Sequence, residues 1–251
     1  MLPPDDTIAL PAFATAMAAI TARIAAARDE AEALGLLRGC VAAVGADAAA
    51  FVSFVKDDDT HDAFRFLLAC DPVWCAEYEQ RAWYASDPWL AYAREHTEPA
   101  LARDIEVKSQ QQREIVALAG AFGFQDALIV PAPASGHLSR LGVLCLGSAQ
   151  ASFFDADTFP LLRALSRALA MELHGWWIER LKTELLSMAR LTDEDLLLLR
   201  HERSGLCTKA IASMVDLSAN AINSRFQRMN ARLGVPNRKA AAQLAAEYGL
   251  I

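Results

Sequence analysis

The chain is poor in cysteine and glycine, and it has no long apolar run. Its 251 residues include five Cys and 12 Gly, and its longest stretch without Asp, Glu, Lys or Arg covers residues 7–22 and contains Pro11. A membrane-spanning helix needs about 20 consecutive apolar residues, and a secretory leader begins with positive charge, whereas Asp5 and Asp6 precede this stretch. We therefore expect no membrane association and a cytoplasmic location. An odd number of cysteines without a C-x-x-C pair favours reduced thiols over a disulfide framework.

Motifs of the common enzyme classes are missing as well. The sequence contains no G-x-S-x-G, no H-E-x-x-H, no phosphate-binding loop and no Cys/His cluster with the spacing of metal ligands. We therefore predict a protein that is not an enzyme and that holds no metal ion or cofactor. The acidic run at residues 57–59 lacks the Asp and Gly spacing of a calcium loop, so we interpret it as a solvated turn.

The formal net charge of −7 divides unevenly along the chain. Residues 190–251 contain nine Lys and Arg against six Asp and Glu, a net charge of +3, which leaves −10 for the first 189 residues. Such asymmetry is typical of a nucleic-acid-binding module attached to an acidic body, although a solvated basic helix gives the same count.

Hydrophobic periodicity predicts helices, strands, helices and strands in turn before residue 182. Residues 7–46 are rich in Ala and indicate two helices, broken at Gly35 and Gly39. Further helices are expected at 71–81, 87–95, 109–122 and 155–181, and strands at 49–55, 63–69, 127–133 and 138–146. This order is typical of an α+β domain, here an α-β-α sandwich with an antiparallel sheet. The last helix either closes the domain or pairs with a second copy.

Residues 190–251 carry four short helical patterns and no strand pattern. On a helix over 219–233, Ile222, Phe226, Met229 and Leu233 fall within about 60° and form a core face. The other faces are polar or basic and consist of Asn220, Asn223, Ser224, Arg225, Gln227, Arg228 and Arg232. With 208–215 as the preceding helix, the pattern predicts a helix-turn-helix whose second helix reads a major groove. An amphipathic helix packed on its neighbours has the same spacing.

This segment resembles the C-terminal DNA-binding domain of LuxR-type regulators. The resemblance rests on Leu191-Thr192, Leu199, Gly205, Thr208-Lys209, Ile211-Ala212, Leu217-Ser218, Ile222, Arg232-Leu233-Gly234-Val235, Asn237-Arg238 and Gly249-Leu250-Ile251. It implies a homodimer on a palindromic double-stranded operator, and we add Thr208 and Lys209 to the expected DNA contacts. The sequence departs from the family at Asp195, where Glu is usual, at Leu206-Cys207, where Lys-Thr is usual, and at Arg225, where His is usual.

An earlier spacing, W-x3-Y-x8-D-P, resembles the signature of the autoinducer-binding domain of quorum-sensing regulators. Trp74, Tyr78 and Asp87-Pro88 carry it. The resemblance implies that Trp74 donates to the lactone carbonyl of an N-acyl homoserine lactone, that Asp87 accepts from the amide N–H, and that Tyr78 lines the acyl region. Read without the family, Asp87 caps the helix that Pro88 opens, and both aromatic residues belong to the core.

The expected pocket departs from this family at several positions. Cys70 stands where a tyrosine is usual, and Cys145 stands where some members place a hydroxyl toward the amide carbonyl. Leu101 and Ala102 lie where a second pocket tryptophan is expected, and Ala127 replaces a glycine. These departures indicate an altered head group, a different acyl or aryl amide, or the loss of high-affinity binding.

We therefore predict a cytoplasmic, ligand-responsive transcriptional regulator. Residues 1–182 form the sensor and dimerisation domain, 183–189 a linker, and 190–251 an all-α helix-turn-helix domain. A phosphorylated receiver domain is disfavoured, since residues 1–180 lack the alternating strand–helix repeat that it needs. The alternative is a degenerate member that acts without ligand, or that dimerises with another regulator and blocks it.

Overall fold

A computed structural model describes residues 11–56, 62–133 and 140–251 of the chain. These residues divide into two compact units. The first contains the described residues up to 54, then 64–133 and 141–176, and the second consists mainly of 177–251. The predicted turn at 57–59 lies outside the described residues.

The first unit is a five-stranded sheet with helices packed on it. The strands are β1 (Ala48–Lys56), β2 (Asp62–Ala69), β3 (Ala100–Leu101), β4 (Asp126–Pro133) and β5 (Arg140–Ser148). They lie in the order β2-β1-β5-β4-β3, and β4 pairs antiparallel with both β3 and β5. The helices are α1 (Ala12–Thr21), α2 (Glu30–Val44), α3 (Pro72–Gln80), α4 (Pro88–Glu95), α5 (Gln110–Ala119) and α6 (Phe159–Ala189). The predicted α+β class is confirmed, whereas the two-residue strand β3 is too short to show the alternation that predicts a strand.

Both faces of the sheet are buried. Every residue of β4 from Asp126 to Ala132 is buried, although successive side chains point to opposite faces. On one face, Ile129 belongs to a cluster with residues of α3, α4 and α5. On the other face, a Cβ added at Gly142 would lie 2.8 Å from Nδ1 of His174 on α6 and 2.9 Å from the ring of Phe51. The missing side chain of Gly142 therefore allows α6 to pack closely against the sheet.

One face of helix α6, here called the leucine stripe, is buried inside the chain itself. Leu162, Leu169, Leu173 and Trp176 are buried, and the Trp176 indole N–H donates to the Ala27 carbonyl at 2.8 Å. The stripe therefore closes the first unit, which was one of the two predicted uses of this helix.

The break between the first two helices lies at residues 22–29, not at the two predicted glycines. Asp29 caps α2 by accepting from the Glu32 amide at 2.9 Å, and Gly35 and Gly39 lie inside that helix. A Cβ at Gly39 would be 3.3 Å from Cδ1 of Ile20 on α1. Gly39 is therefore explained by the close packing of α1 on α2, which periodicity along one helix does not reveal.

Two later helices also differ from the prediction at their ends. Helix α5 ends at Ala119, and a π-helical turn continues to Phe124 with Gly123 at a φ of +92°. Helix α6 begins at Phe159 and continues to Ala189, so the expected linker at 183–189 is helical. No Gly or Pro interrupts residues 176–189, and the segment is rich in strong helix formers, which explains the longer helix.

The second unit contains the four predicted helices. They are α7 (Asp193–Arg203), α8 (Thr208–Val215), α9 (Ala219–Leu233) and α10 (Arg238–Glu247). Ile222, Phe226 and Met229 are buried in its core, as predicted, and Leu185 and Leu186 of α6 pack against that core. On α8, Ile211 is buried, whereas Met214 is 62% exposed. Within the described ranges, every helix is too short or too polar to cross a bilayer.

Candidate functional site

A cavity of about 80 Å³ lies in the first unit, between the sheet and helices α3 and α4. Four of the five predicted ligand residues line it: Trp74, Tyr78, Asp87 and Cys145. Apolar side chains of β1, β2 and α4, together with Phe124, make up most of the remaining wall. The spacing in the sequence therefore brings two aromatic rings and a carboxylate to one cavity.

Helix α3 places the two aromatic side chains side by side. It begins after Asp71, whose carboxylate accepts from the Val73 amide at 2.8 Å, and Pro72 occupies its first turn. Residues four apart lie on the same helix face, so Trp74 and Tyr78 point in one direction, with ring centroids 5.5 Å apart.

Asp87 both caps a helix and lines the cavity. Its Oδ1 atom accepts from the backbone amides of Trp89 at 2.7 Å and Leu90 at 3.3 Å, and so caps α4. Its Oδ2 atom accepts from the Tyr78 hydroxyl at 2.6 Å. The residue is 6% exposed. The capping and pocket interpretations are therefore compatible, because each uses a different carboxylate oxygen.

Three ionisable groups of the cavity resist ionisation. Burial raises the pKa of Asp87, while the hydrogen bonds from Tyr78 and from the Trp89 and Leu90 amides oppose that rise. Burial and the neighbouring Asp87 charge raise the pKa of Tyr78 well above its usual value. Burial also raises the pKa of Cys145, which is therefore a neutral thiol near pH 7.

Cys70, the fifth predicted ligand residue, does not line this cavity. It lines a wider, adjoining concavity of about 460 Å³ together with Arg38, Asp47 and Phe122. Its Sγ atom lies 3.8 Å from Sγ of Cys75, and Cys75 does line the cavity. Cys70 precedes α3, whereas Cys75 lies in its first turn, so Cys75 is the member of the pair on the cavity wall. Ligand binding by Cys70 stays a prediction.

Trp89 is a cavity residue that the sequence analysis missed. It lies on α4, two residues after Asp87, and is almost fully buried. Its indole N–H has no acceptor among the residues that the structure describes. Leu101 and Ala102, where a second tryptophan was expected, do not line the cavity. The sequence signal for Trp89 is that this tryptophan directly follows Asp87-Pro88. Asp87 is the N-cap of α4 and Trp89 lies on α4, so both side chains reach the same cavity.

A second candidate site is the polar surface of α8 and α9. A three-residue turn joins the two helices, with Asp216 in the left-handed region and Ser218 capping α9 through the Ala221 amide at 3.1 Å. Six of the nine predicted DNA-contacting residues are exposed there with no side-chain ion pair in the described part of the chain: Lys209, Asn220, Asn223, Ser224, Gln227 and Arg228.

The other three predicted DNA contacts are engaged within the second unit. Arg225 donates to Asp195 at 2.6 Å, to Glu194 at 2.7 Å and to Thr192 at 3.0 Å. Arg232 donates to Asp195 at 3.0 Å and to the Arg190 carbonyl at 2.7 Å. These contacts fasten α9 to the start of α7.

The remaining one, Thr208, accepts from Arg238 at 2.7 Å. Arg238 also pairs with Glu202 at 3.0 Å. The side chain of Thr208 is therefore held against α10 and not presented alone to solvent.

The carboxylate at the centre of the Arg225 network is almost fully buried. The Asp195 side chain is 3% exposed, and burial by itself disfavours its charge. The hydrogen bonds from Arg225, from the Thr192 amide and from Arg232 outweigh burial and lower the pKa of Asp195. Asp195 and Arg225 are both departures from the family pattern, and the longer Arg reaches the carboxylate that the shorter Asp holds further back.

A family model described as the autoinducer binding domain matches residues 15–175. Every residue that lines the cavity lies within this segment. Among curated proteins, no sequence matches the chain significantly.

Solved structures show a similar fold over most of the chain. The crystal structure of Escherichia coli SdiA matches with a TM-score of 0.74 at 17% identity, covering 95% of this chain and 99% of that chain. SdiA in complex with octanoyl-rac-glycerol gives a TM-score of 0.72 at 16% identity, with 100% and 98% covered. CepR2 from Burkholderia cenocepacia, an N-acylhomoserine lactone dependent LuxR family transcription factor, gives 0.55 at 14% identity, with 66% and 99% covered. At these identities the likeness shows a shared fold.

Proposed function

Because the chain belongs to the autoinducer-binding family of LuxR-type quorum-sensing regulators, which are non-enzymatic, we propose that it is a DNA-binding transcriptional regulator controlled by an acyl amide. The observation that carries this proposal is a buried carboxylate, Asp87, on the wall of a mostly apolar cavity. A carboxylate in such surroundings is costly unless donors reach it. Its three protein donors leave room for one more N–H, since a carboxylate accepts about four hydrogen bonds.

The ligand that fits these donors and acceptors is an N-acyl homoserine lactone or a related acyl or aryl amide. Its amide N–H donates to Asp87, its ring carbonyl accepts from the Trp74 indole, and Tyr78 packs beside the acyl chain. Cys145 is a weak donor near the amide carbonyl. The complex of SdiA with octanoyl-rac-glycerol supports a ligand with a medium-length acyl chain.

The cavity must widen to take such a ligand. Small-molecule sites usually measure about 300–1,000 Å³, whereas this cavity measures about 80 Å³. Widening requires the aromatic side chains of the wall to move apart. A ligand that replaces their contacts therefore becomes part of the core of the first unit. We propose that the first unit becomes more ordered when the ligand binds, and that this ordering is the signal.

The exposed surface of α8 and α9 is the proposed DNA-reading surface. Asn220, Asn223, Ser224 and Gln227 carry the amide and hydroxyl groups that read base edges, and Lys209 and Arg228 supply positive charge for phosphates. Arg225 and Arg232 orient α9 through Asp195, and Thr208 supports the start of α8. The two helices with their short turn then act as a helix-turn-helix.

A homodimer is proposed because a palindromic operator matches a two-fold axis, with half-sites about one turn of DNA apart. The leucine stripe of α6 is buried within the chain, so a partner copy would contact the opposite side of this helix. Met171 on that side is 47% exposed.

A DNA selection tests the function as a whole. The full chain, with N-octanoyl homoserine lactone as the probe ligand, is incubated with a pool of random-sequence duplexes. We expect enrichment of inverted repeats, and we expect Arg228→Ala to weaken their binding about tenfold, since one charge-assisted contact is worth about 1–2 kcal/mol. The matched control Arg113→Ala changes an exposed basic residue on α5 and leaves DNA affinity unchanged.

One result would contradict the proposal. A pool without any enriched sequence, in the presence and absence of the lactone, argues against DNA reading. In that case the substitution of the family's Lys-Thr by Leu206-Cys207 favours the alternative, a degenerate partner that blocks another regulator. Equal loss of DNA and lactone binding in Arg228→Ala would indicate misfolding instead of a lost contact.

A further inference from the structure

Two cysteines meet at the wall between the ligand cavity and the adjoining concavity. Cys70 follows β2 directly, and Cys75 lies near the start of α3, so the chain turns back on itself between them. Their Sγ atoms are 3.8 Å apart, and both residues are half-buried. A disulfide has an S–S length of about 2.05 Å, so the sulfurs must approach by about 1.8 Å. Rotation of two short side chains on a loop and a helix end supplies a movement of this size.

The two thiols are not equivalent. The hydrogen bond between them lowers the pKa of Cys75 and raises the pKa of Cys70, because the pair shares one proton. Cys75 therefore forms the first thiolate, close to the N-terminus of α3. A half-exposed thiolate with a second cysteine beside it is the arrangement found in redox-sensitive proteins. Cys145, in contrast, is buried, and burial raises its pKa.

We propose that Cys70 and Cys75 form a reversible disulfide in the presence of a hydroperoxide, and that this bond modifies the wall of the ligand cavity. The Cys75 thiolate attacks the peroxide oxygen, the O–O bond breaks, and a sulfenic acid and an alcohol or water result. Cys70 then attacks the Cys75 sulfur, the S–S bond forms, and the S–O bond breaks with release of water, which takes up the Cys70 proton. Two thiols lose two electrons to one peroxide, and one dithiol or two equivalents of a monothiol restore them.

The disulfide is predicted to alter ligand binding, because Cys75 lines the cavity beside Trp74 and Tyr78 on the same helix. This consequence rests on the proposed function, whereas the disulfide itself does not. Moving the Cys75 sulfur toward Cys70 removes it from the cavity wall and shifts the first turns of α3.

Thiol mapping of the full chain tests the disulfide. The protein is treated with hydrogen peroxide, alkylated, digested and analysed by mass spectrometry. We expect a peptide that contains both Cys70 and Cys75 to lose two hydrogens and to recover them with dithiothreitol. In Cys70→Ser, dimedone traps a sulfenic acid at Cys75, whereas in Cys75→Ser the remaining Cys70 stays alkylatable. The matched control Cys207→Ser, at an exposed cysteine in the second unit, behaves as the unaltered protein does.

Several results would overturn this proposal. The first is full alkylation of both thiols after peroxide treatment. The second is oxidation of Cys75 beyond sulfenic acid in the unaltered protein, and the third is intermolecular disulfides of Cys207 while Cys70 and Cys75 stay reduced. A measurement of ligand affinity then separates the disulfide itself from its proposed effect on the ligand cavity. The affinity for N-octanoyl homoserine lactone should change about fivefold between the reduced and oxidised protein, the scale of one weak polar contact. Equal affinities overturn the coupling, and absence of binding in both states contradicts the proposed function and not the disulfide.

Discussion

At the scale of single residues, the main result is that one carboxylate serves two purposes. Asp87 caps α4 with one oxygen and accepts from Tyr78 with the other. The sequence allowed either a cap or a pocket residue and gave no means of choosing, because both use the same D-P dipeptide. Only the position of Tyr78, one helix earlier, shows that the second oxygen faces the cavity. Substitutions at Tyr78 therefore report on this second oxygen alone.

Tyr78→Phe removes the hydroxyl donor and leaves the cap of α4 in place. We expect the free energy of unfolding to fall by about 1–2 kcal/mol at pH 7, because a buried acceptor loses its donor. Burial raises the pKa of Asp87, so its contribution to stability is present below the unfolded pKa of about 3.9 and is lost as pH rises through the folded pKa. The variant raises that pKa further, so its deficit should be larger at pH 7 than at pH 4.

Urea unfolding at both pH values measures this effect. Tyr92→Phe is the matched control, since its hydroxyl donates to the Glu98 carbonyl at an exposed site, and its effect should stay within about 0.5 kcal/mol. A deficit that is the same at pH 4 and pH 7 would mean that Tyr78 does not act on the charge of Asp87.

At the scale of secondary-structure elements, sequence patterns identified nearly every helix and strand but not their contacts. Short apolar runs and capping residues predicted four of the five strands and the starts of α3, α4 and α9. Gly39 was read as a helix break, because its partner Ile20 lies on another helix, and a pattern within one segment carries no information on packing between segments. The same holds for Arg225, whose role depends on Asp195, 30 residues earlier.

Substitutions of two glycines of α2, Gly35 and Gly39, test whether α1 packs closely on α2. Nothing lies within 4 Å of a Cβ added at Gly35, so Gly35→Ala should raise the free energy of unfolding by about 0.5–1 kcal/mol through helix propensity alone. Gly39→Ala gains the same propensity but presses on Ile20, so it should fall short of Gly35→Ala by about 0.5 kcal/mol or more. Thermal unfolding of both variants compares them, and equal gains would contradict close packing of α1 on α2.

The contact between α7 and α9 depends on Arg225. Arg225→Ala should lower the free energy of unfolding of the second unit by about 2 kcal/mol, because the buried Asp195 loses a charged donor. The lowered pKa of Asp195 means that its stabilisation is present above the unfolded pKa of about 3.9 and is lost as pH falls through the folded pKa. The variant should therefore show a weaker loss of stability on acidification.

Circular dichroism during urea unfolding at pH 7 and pH 3 measures both effects. Arg228→Ala, three residues along the same helix and exposed, is the control and should change stability by less than about 0.5 kcal/mol. If the two variants were equally stable, Arg225 would not hold α9 in place, and a DNA contact would again be the better explanation.

At the scale of the whole molecule, fold class and family could be predicted, whereas the strand order and the full cavity wall could not. The order β2-β1-β5-β4-β3 places the last strand beside the first, and local alternation does not determine such long-range pairing. The family-like spacing of Trp74, Tyr78 and Asp87 predicted three cavity residues. Trp89 and Cys75 were missed because their positions in the cavity follow from how α3 and α4 pack on the sheet.

The most direct test of the central claim compares two ligands that differ in a single N–H. N-octanoyl homoserine lactone and its ester analogue, in which oxygen replaces the amide nitrogen, are titrated calorimetrically into the full chain and into Asp87→Asn, which keeps a capping oxygen for α4. We expect the unaltered protein to bind the amide about tenfold or more tightly than the ester, and we expect Asp87→Asn to lose most of this preference. Equal affinity of the unaltered protein for amide and ester, or an undiminished preference in Asp87→Asn, would contradict the proposed contact between Asp87 and the ligand amide.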